Sequence, residues 1–332
     1  MPLVDLSPAD APPPPAEVRP AARWIEPKAV WPDDRGQHIQ AHGGGVTRVG
    51  DTFYWFGEER TRSNLRDHRY VGCYSSTDLV NWTCHKPVVD LPAPADVAAP
   101  GTGPAGWVLE RPKVYCNATT GKFVMYAHVD DGHYRLARVG VFVSDTVDGQ
   151  YRYLRSFRPL GQESRDIGQF IDDDGSAYLI FESRPTHGFF IAQLSDDYLD
   201  VAKQTCFIKA PLEGGAVAHV GDTYYCLGSH MTGWAPNDNL YATAPSLAGP
   251  WSAFTGIAPA GTKTYGSQSA FLLDVHGSKT DTVIYVGDEW RPKAQWDSRY
   301  LWMPLTIGDA KLQLPPPRPW TIDVRSGVVT FK

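Results

Sequence analysis

Short runs of alternating apolar and polar residues recur along the chain, rich in aromatic and β-branched side chains and each entered through a turn containing Gly or Asp. Five are closely alike: GDTFYWFGEE from Gly50, TGKFVMYAHVD from Thr120, DGSAYLIFES from Asp174, GDTYYCLGSH from Gly221 and TDTVIYVGDEW from Thr280. A period of two after a tight turn is the pattern of a β-hairpin. The turns at Asp51, Gly121, Asp174, Asp222 and Asp281 are 70, 53, 48 and 59 residues apart. One more short strand precedes each hairpin: GGGVTRV, ERPKVYC, IGQFIDD, EGGAVAHV and SQSAFLLDV. A third strand, closed by a polar turn and an aromatic or aliphatic plug, trails four of them as YSSTDLVNW, FVSDTVDGQY, LSDDYLDV and YATAPSLAGPW. Three or four strands per unit, five times over, predict an all-β, five-bladed β-propeller. A β-sandwich is the alternative, but it has no need of five units of similar length. No amphipathic helix of ordinary length is predicted.

This pattern divides the chain into a Pro-rich arm with a first strand, residues 1–36, and one propeller domain, residues 37–332. The last segment, PWTIDVRSGVVTFK, reads either as a strand closing the ring or as a terminal hairpin. Residues 1–20 have neither a basic leader nor an apolar stretch, so a cytoplasmic location is expected, with secretion left open. No apolar run is long enough to span a membrane. The 31 Lys and Arg against 37 Asp and Glu give a net charge of −6, which argues against nucleic acid or an anionic membrane as partner. A neutral polymer such as a polysaccharide suits it. The five cysteines have no CxxC spacing, and reduced thiols are expected.

In a propeller the innermost strand of each blade lines the axis, so polar residues at the starts of those strands converge. Here they are Gln40 and His42 in blade one, Glu110 in blade two, Asp166 in blade three, Glu213 in blade four and Gln268 in blade five. Hydrolysis of a glycosidic bond needs a protonated acid beside the leaving oxygen and a group handling water on the opposite face. A carboxyl buried between strands has its charged form disfavoured, and a second carboxylate nearby adds to this. Glu213 precedes Gly214 and Gly215, where bare backbone lets a substrate approach. It is the expected acid, with Asp166 as the neighbour that tunes it.

The pattern resembles glycoside hydrolase family 43, whose members are five-bladed propellers acting by inversion. The resemblance runs from about Gln37 to Lys332 and is carried by QAHGGG, TFYWFGEE, SSTDLVNW, ERPKV, SRDIGQFIDDDG, LEGG, SHMTGWAPN and TYGSQSAF. It implies three carboxylates: a base Asp in blade one, a tuning Asp matching Asp166 and an acid Glu matching Glu213. Blade one departs from this, with Gln40-Ala41-His42 and no carboxylate. That departure is similar to the exo-β-1,3-galactanases, in which a blade-five glutamine, matching Gln268, is thought to hold the attacking water as an amide or its imidic tautomer. Glu110 is the rival for that role. The resemblance also implies that Glu58 and Glu110 grip galactose hydroxyls and that Thr232 lines the pocket.

Among the tryptophans, Trp107, Trp234 and Trp290 fall near the candidate strands, and Trp234 in MTGWAPN is the expected sugar platform, whereas Trp82 and Trp251 read as structural. No cofactor is expected. A structural cation on the propeller axis is the one ion the resemblance allows, with His42, His219 and His230 as conceivable ligands, but no metal-binding spacing supports it. Asp172-Asp173-Asp174-Gly175 reads as a plain turn rather than a calcium loop. The expected function is therefore an inverting exo-β-1,3-galactanase acting on the arabinogalactan backbone. The alternatives are an arabinofuranosidase or xylosidase of the same family, or a sugar-binding propeller without catalysis.

Overall fold

The computed structural model describes residues 21–61, 68–97 and 106–332; the Pro-rich arm of residues 1–20 lies outside them. The chain forms a five-bladed β-propeller. Blade one comprises β1 (His42–Val49), β2 (Thr52–Glu58), β3 (His68–Ser76) and β4 (Thr83–Cys84), with β5 (Val89–Pro92) also paired to β3. Blade two comprises β6 (Trp107–Asn117), β7 (Lys122–Asp131), β8 (Arg138–Ser144) and β9 (Arg152–Phe157). Blade three holds β10 (Ile167–Ile171), β11 (Ala177–Ser183), β12 (Gly188–Leu194) and β13 (Val201–Ile208). Blade four holds β14 (Leu212–Val220), β15 (Thr223–His230), β16 (Leu240–Ala244) and β17 (Thr255–Gly256). Blade five has three strands, β18 (Gln268–His276), β19 (Asp281–Glu289) and β20 (Arg299–Pro304).

Every neighbouring pair within a blade is antiparallel, and each expected hairpin joins a blade's first two strands. The inner strands β1, β6, β10, β14 and β18 touch one another in sequence around the axis, and β1 meets β18 to close the ring. Gly50, Gly121, Gly175 and Gly221 adopt positive φ in four of the five turns, a conformation that costs a glycine little.

Closure is made at blade five by both ends of the described chain. Ile25 pairs with Trp320, and Lys28 N donates to Tyr300 O on β20. The strand expected before residue 37 is not formed among residues 21–36, which hold only isolated bridges. Pro27 and Pro32 have no N–H to offer a ladder there. The final segment is a separate antiparallel hairpin, β23 (Trp320–Asp323) with β24 (Val328–Phe331), following a smaller one of β21 (Thr306–Gly308) with β22 (Lys311–Gln313).

The seam between blades one and five is filled by tryptophans. Trp55 lies 4.6 Å from Trp302, 5.4 Å from Trp82 and 5.6 Å from Trp31, centroid to centroid. All four are buried, so the plug residue Trp82 is core, as its place in the repeat predicts. Trp55→Ala is expected to lower unfolding free energy by about 3–5 kcal/mol in urea titration, and a loss under about 1 kcal/mol would mean that the seam refills itself.

Candidate active site

Four of the five inner strands carry a β-bulge near their start. Pairing skips between His42 and Gly45 in β1, Glu110 and Lys113 in β6, Glu213 and Ala216 in β14, and Ser269 and Phe271 in β18. A bulge re-aims the side chains beside it. Gly43 and Gly214 hold the left-handed conformation at two of these bends, at φ +59° and +65°. Blade two has Arg111 at the corresponding position, with φ +56°. A non-glycine residue there costs on the order of 1–3 kcal/mol, and its neighbours must over-determine it.

They do. Arg111 N donates to Glu58 Oε1 at 3.0 Å, Nη1 to Ser269 O at 2.8 Å and Nη2 to Gln268 Oε1 at 2.7 Å, and Nη2 also pairs with Asp166 Oδ2 at 2.8 Å. One buried cation thus links blades one, two, three and five. Around it is a pocket of about 270 Å³ walled by residues from every blade. Glu58 and Arg60 come from blade one, Glu110, His128 and Tyr134 from blade two, Asp166 and Arg184 from blade three, Glu213 and Trp234 from blade four, and Gln268 and Trp290 from blade five.

Two environments divide the carboxyl groups. Burial, and then the charge of Asp166, push the Glu213 carboxyl up to about 8, with Glu182 adding to the rise. Burial and Asp166 likewise lift Glu182, to about 7. Gln268 Nε2 donates to Glu213 Oε1 at 3.1 Å, while Arg184 stands 3.6 Å from Oε2. At Glu110, from blade two, burial works against the charge, but His128, Arg60 and Tyr134 outweigh it and hold the carboxyl at about 2. Tyr134 donates its hydroxyl to Glu110 Oε1 at 2.8 Å, and His128 Nδ1 lies 3.3 Å from Oε2. The other ring nitrogen of His128 meets Asp130 at 3.1 Å. Burial opposes an imidazolium here, yet Asp130 and Glu110 together raise His128 to about 9. The pocket therefore holds a neutral acid at Glu213 and a fixed carboxylate at Glu110, the pairing that acid–base chemistry on a glycoside uses. Burial and then Glu110 lift Glu58 to about 7 against the pull of Arg60.

The pocket brings together Glu58, Glu110, Asp166, Glu213, Gln268 and Trp234 of the residues expected from sequence. Trp234 is 39% exposed at the rim, in edge contact with Trp290 at 5.2 Å. Gln40, His42 and Thr232 do not line it. Gln40 precedes β1, and its amide donates to Trp296 O at 2.8 Å. His42 is fully buried behind the wall, stacked on Tyr300 and 3.4 Å from Asp288. Thr232 turns its hydroxyl to Ala235 O and accepts from Asn237, shaping the loop that carries Trp234. Trp107 belongs to the core of blade two.

Sequence reasoning missed Arg111, Arg60, His128, Tyr134 and Arg184. A second repeat would have revealed His128. The cross-strand partners of the inner strands' leading residues are Glu58, His128, Ser229 and Asp288, each seven residues beyond its turn, and Glu182 lies eight beyond in blade three.

A cation on the axis would need free oxygen ligands. The carbonyls of Gly43 and Arg111 instead accept from Nζ of the wholly buried Lys113, at 2.8 and 3.3 Å, so these oxygens are not free to hold a metal ion. At the far end of β10 and β14, Asp172 and Asp173 gather with His219, which stacks on Tyr224. Asp172 to Ser176 form the plain turn expected there. His230, at the end of β15, is exposed.

No curated protein sequence matches the chain. Solved structures do. The exo-β-1,3-galactanase of Phanerochaete chrysosporium, crystallised with galactose, is 39% identical with a TM-score of 0.85, over 93% of this chain and 71% of its own. A Glu-to-Gln variant of that enzyme, crystallised with β-1,3-galactotriose, is 39% identical with a TM-score of 0.83, over 93% and 70%. The exo-β-1,3-galactanase of Clostridium thermocellum is 35% identical with a TM-score of 0.83, over 93% and 68%. The family model for glycosyl hydrolases family 43 matches residues 44–262. With that match across most of the propeller and a neutral acid facing a fixed carboxylate at its axis, the chain belongs to glycosyl hydrolases family 43.

Proposed function

We propose that this glycoside hydrolase is an inverting exo-β-1,3-galactanase that removes single galactose units from the end of a β-1,3-galactan chain, the backbone of arabinogalactan. The observation that carries this reading is a pocket contributed by all five blades around a neutral Glu213. A ring of walls receives a chain end, whereas an open cleft would let a polymer run through. The galactanases of P. chrysosporium and C. thermocellum, at 35–39% identity, support the choice of sugar and linkage.

Glu213 delivers its proton to the glycosidic oxygen as the C1–O bond breaks. Water attacks C1 from the opposite face and gives up one proton, which through solvent replaces the one Glu213 delivered, and the galactose leaves as its α-anomer. Asp166 keeps Glu213 protonated through its charge and is itself held by Arg111. Glu58 and Glu110, each braced by cationic neighbours, accept hydrogen bonds from galactose hydroxyls. Trp234 and Trp290 offer indole faces to the apolar side of a sugar at the mouth. Glu110 and Gln268 both line the pocket in which that water must stand.

NMR of debranched β-1,3-galactan digests is expected to show α-galactose as the first product; β-galactose, or internal cutting without free galactose, would overturn the reading. Glu213→Gln should slow galactan turnover by about 10²–10⁴-fold while leaving galactobiose binding in place. Because a raised carboxyl acts only while protonated, wild-type kcat should hold at neutral pH and fall as pH rises through about 8. An alkaline limb below pH 6 would be inconsistent with Glu213 as the acid.

A further inference from the structure

Four guanidinium groups among the described residues line the pocket, and three of them are firmly paired. Arg60 pairs with Glu58 and stands 3.6 Å from Glu110, Arg111 holds Asp166 at 2.8 Å, and Arg165 holds Glu163 at 2.6 Å. All three side chains are largely buried. Arg184 differs on both counts. Its side chain is 51% exposed, and its guanidinium makes no hydrogen bond among the described residues, with Glu182 Oε1 and Glu213 Oε2 each 3.6 Å away. Those two carboxyls offer it little countercharge. Neither oxygen of Glu182 has a hydrogen-bond partner among the described residues, and burial with the charge of Asp166 lifts that group to about 7. Glu213 is lifted to about 8 and must carry its proton to act as the acid. While both are neutral, Arg184 is a cation at the pocket without an ionised partner.

The turn that presents it is fixed. Arg184 opens the link between β11 and β12, where His187 N donates to Arg184 O at 3.2 Å and Thr186 Oγ1 to Ser183 O at 3.1 Å. The backbone is thus set before a ligand arrives, and only the side chain has freedom to lose. Its place beside Glu213 decides what it meets, because the leaving sugar departs from the acid. Trp234, from the next blade, lines the same pocket and is exposed. An indole suits the apolar face of a pyranose, and a guanidinium fork suits a carboxylate through two parallel hydrogen bonds. A sugar hydroxyl would also accept from Arg184, but it would leave the charge uncompensated. Resting on the galactanase reading, we infer that the subsite for the leaving unit takes an acidic sugar, with its carboxylate on Arg184 and its apolar face on Trp234. The terminal galactose inside the pocket is neutral; selectivity lies in the unit from which it is cut. Arg184 is the specificity-determining residue for that unit.

Two disaccharides that differ only at C6 of the leaving unit test this: β-1,3-galactobiose, and galactose β-1,3-linked to galacturonic acid. Galactose release from each at neutral pH gives two kcat/KM values, and their ratio is the readout. In the wild type the ratio is expected to favour the acidic disaccharide by about tenfold, the scale of one charge-assisted hydrogen bond at a half-exposed site. It should shrink as salt is added, since exposed charges are screened. In Arg184→Gln the ratio should fall to about one. Arg184→Lys should keep part of it, because lysine retains the charge without the planar fork. A ratio cancels any loss of folded enzyme, which slows both substrates alike. A wild-type ratio of one or less, or a preference that survives undiminished in Arg184→Gln, would overturn the inference. Wild-type enzyme releasing galactose from neither disaccharide would instead overturn the galactanase reading.

Discussion

A buried guanidinium at the propeller axis sets the terms for everything around it. Arg111 is 4% exposed, and a charge so placed is tolerated only when paired and fully hydrogen-bonded. Its partners are a carboxylate from blade three, a side-chain and a backbone oxygen from blade five, and, through its own N–H, a carboxylate from blade one. Removing one partner from such an arrangement typically costs about 3–5 kcal/mol, because the remaining charge is left uncompensated. The planar fork of donors sets where its oxygen partners from blades three and five must lie. The left-handed backbone at Arg111 is the visible sign of that constraint.

Charge is also what separates the two halves of the pocket. On one wall Glu213, Asp166 and Glu182 crowd together, and their mutual repulsion in a poorly solvated space favours the neutral acid. On the other, a protonated His128 between Asp130 and Glu110 keeps Glu110 ionised. Neither wall depends on an unusual residue type. The division comes from which strand carries the histidine and which carries the extra carboxyl.

The fold was largely legible because turn residues and alternation recur in every blade, and the turns at Gly50, Gly121, Gly175 and Gly221 fall where the pattern puts them. The leading residues of the inner strands were legible for the same reason, and Glu110, Asp166, Glu213 and Gln268 do meet. Blade one misled because counting along a strand assumes an unbroken pleat. The bulge after His42 leaves that ring against Tyr300, and Gln40 lies ahead of the strand altogether. Arg111 was hidden by the same irregularity, since in a regular strand the residue after Glu110 would point away from the axis. Arg60, Tyr134 and Arg184 come from loops that have no period to read. The location of the protein and its side-branch tolerance belong to no strand pattern.

The pairing of Ile25 with Trp320 joins the two ends of the described chain at one blade. With the contact of β1 on β18 and the tryptophan seam it fastens the hoop at one joint, so loosening that joint takes lateral support from blades one and five together. The pocket takes part of its wall from each blade, so there is no sub-assembly in which it survives. Catalytic competence and the intact ring are therefore the same state of the molecule, and a population of such chains divides into working rings and inactive ones with little between.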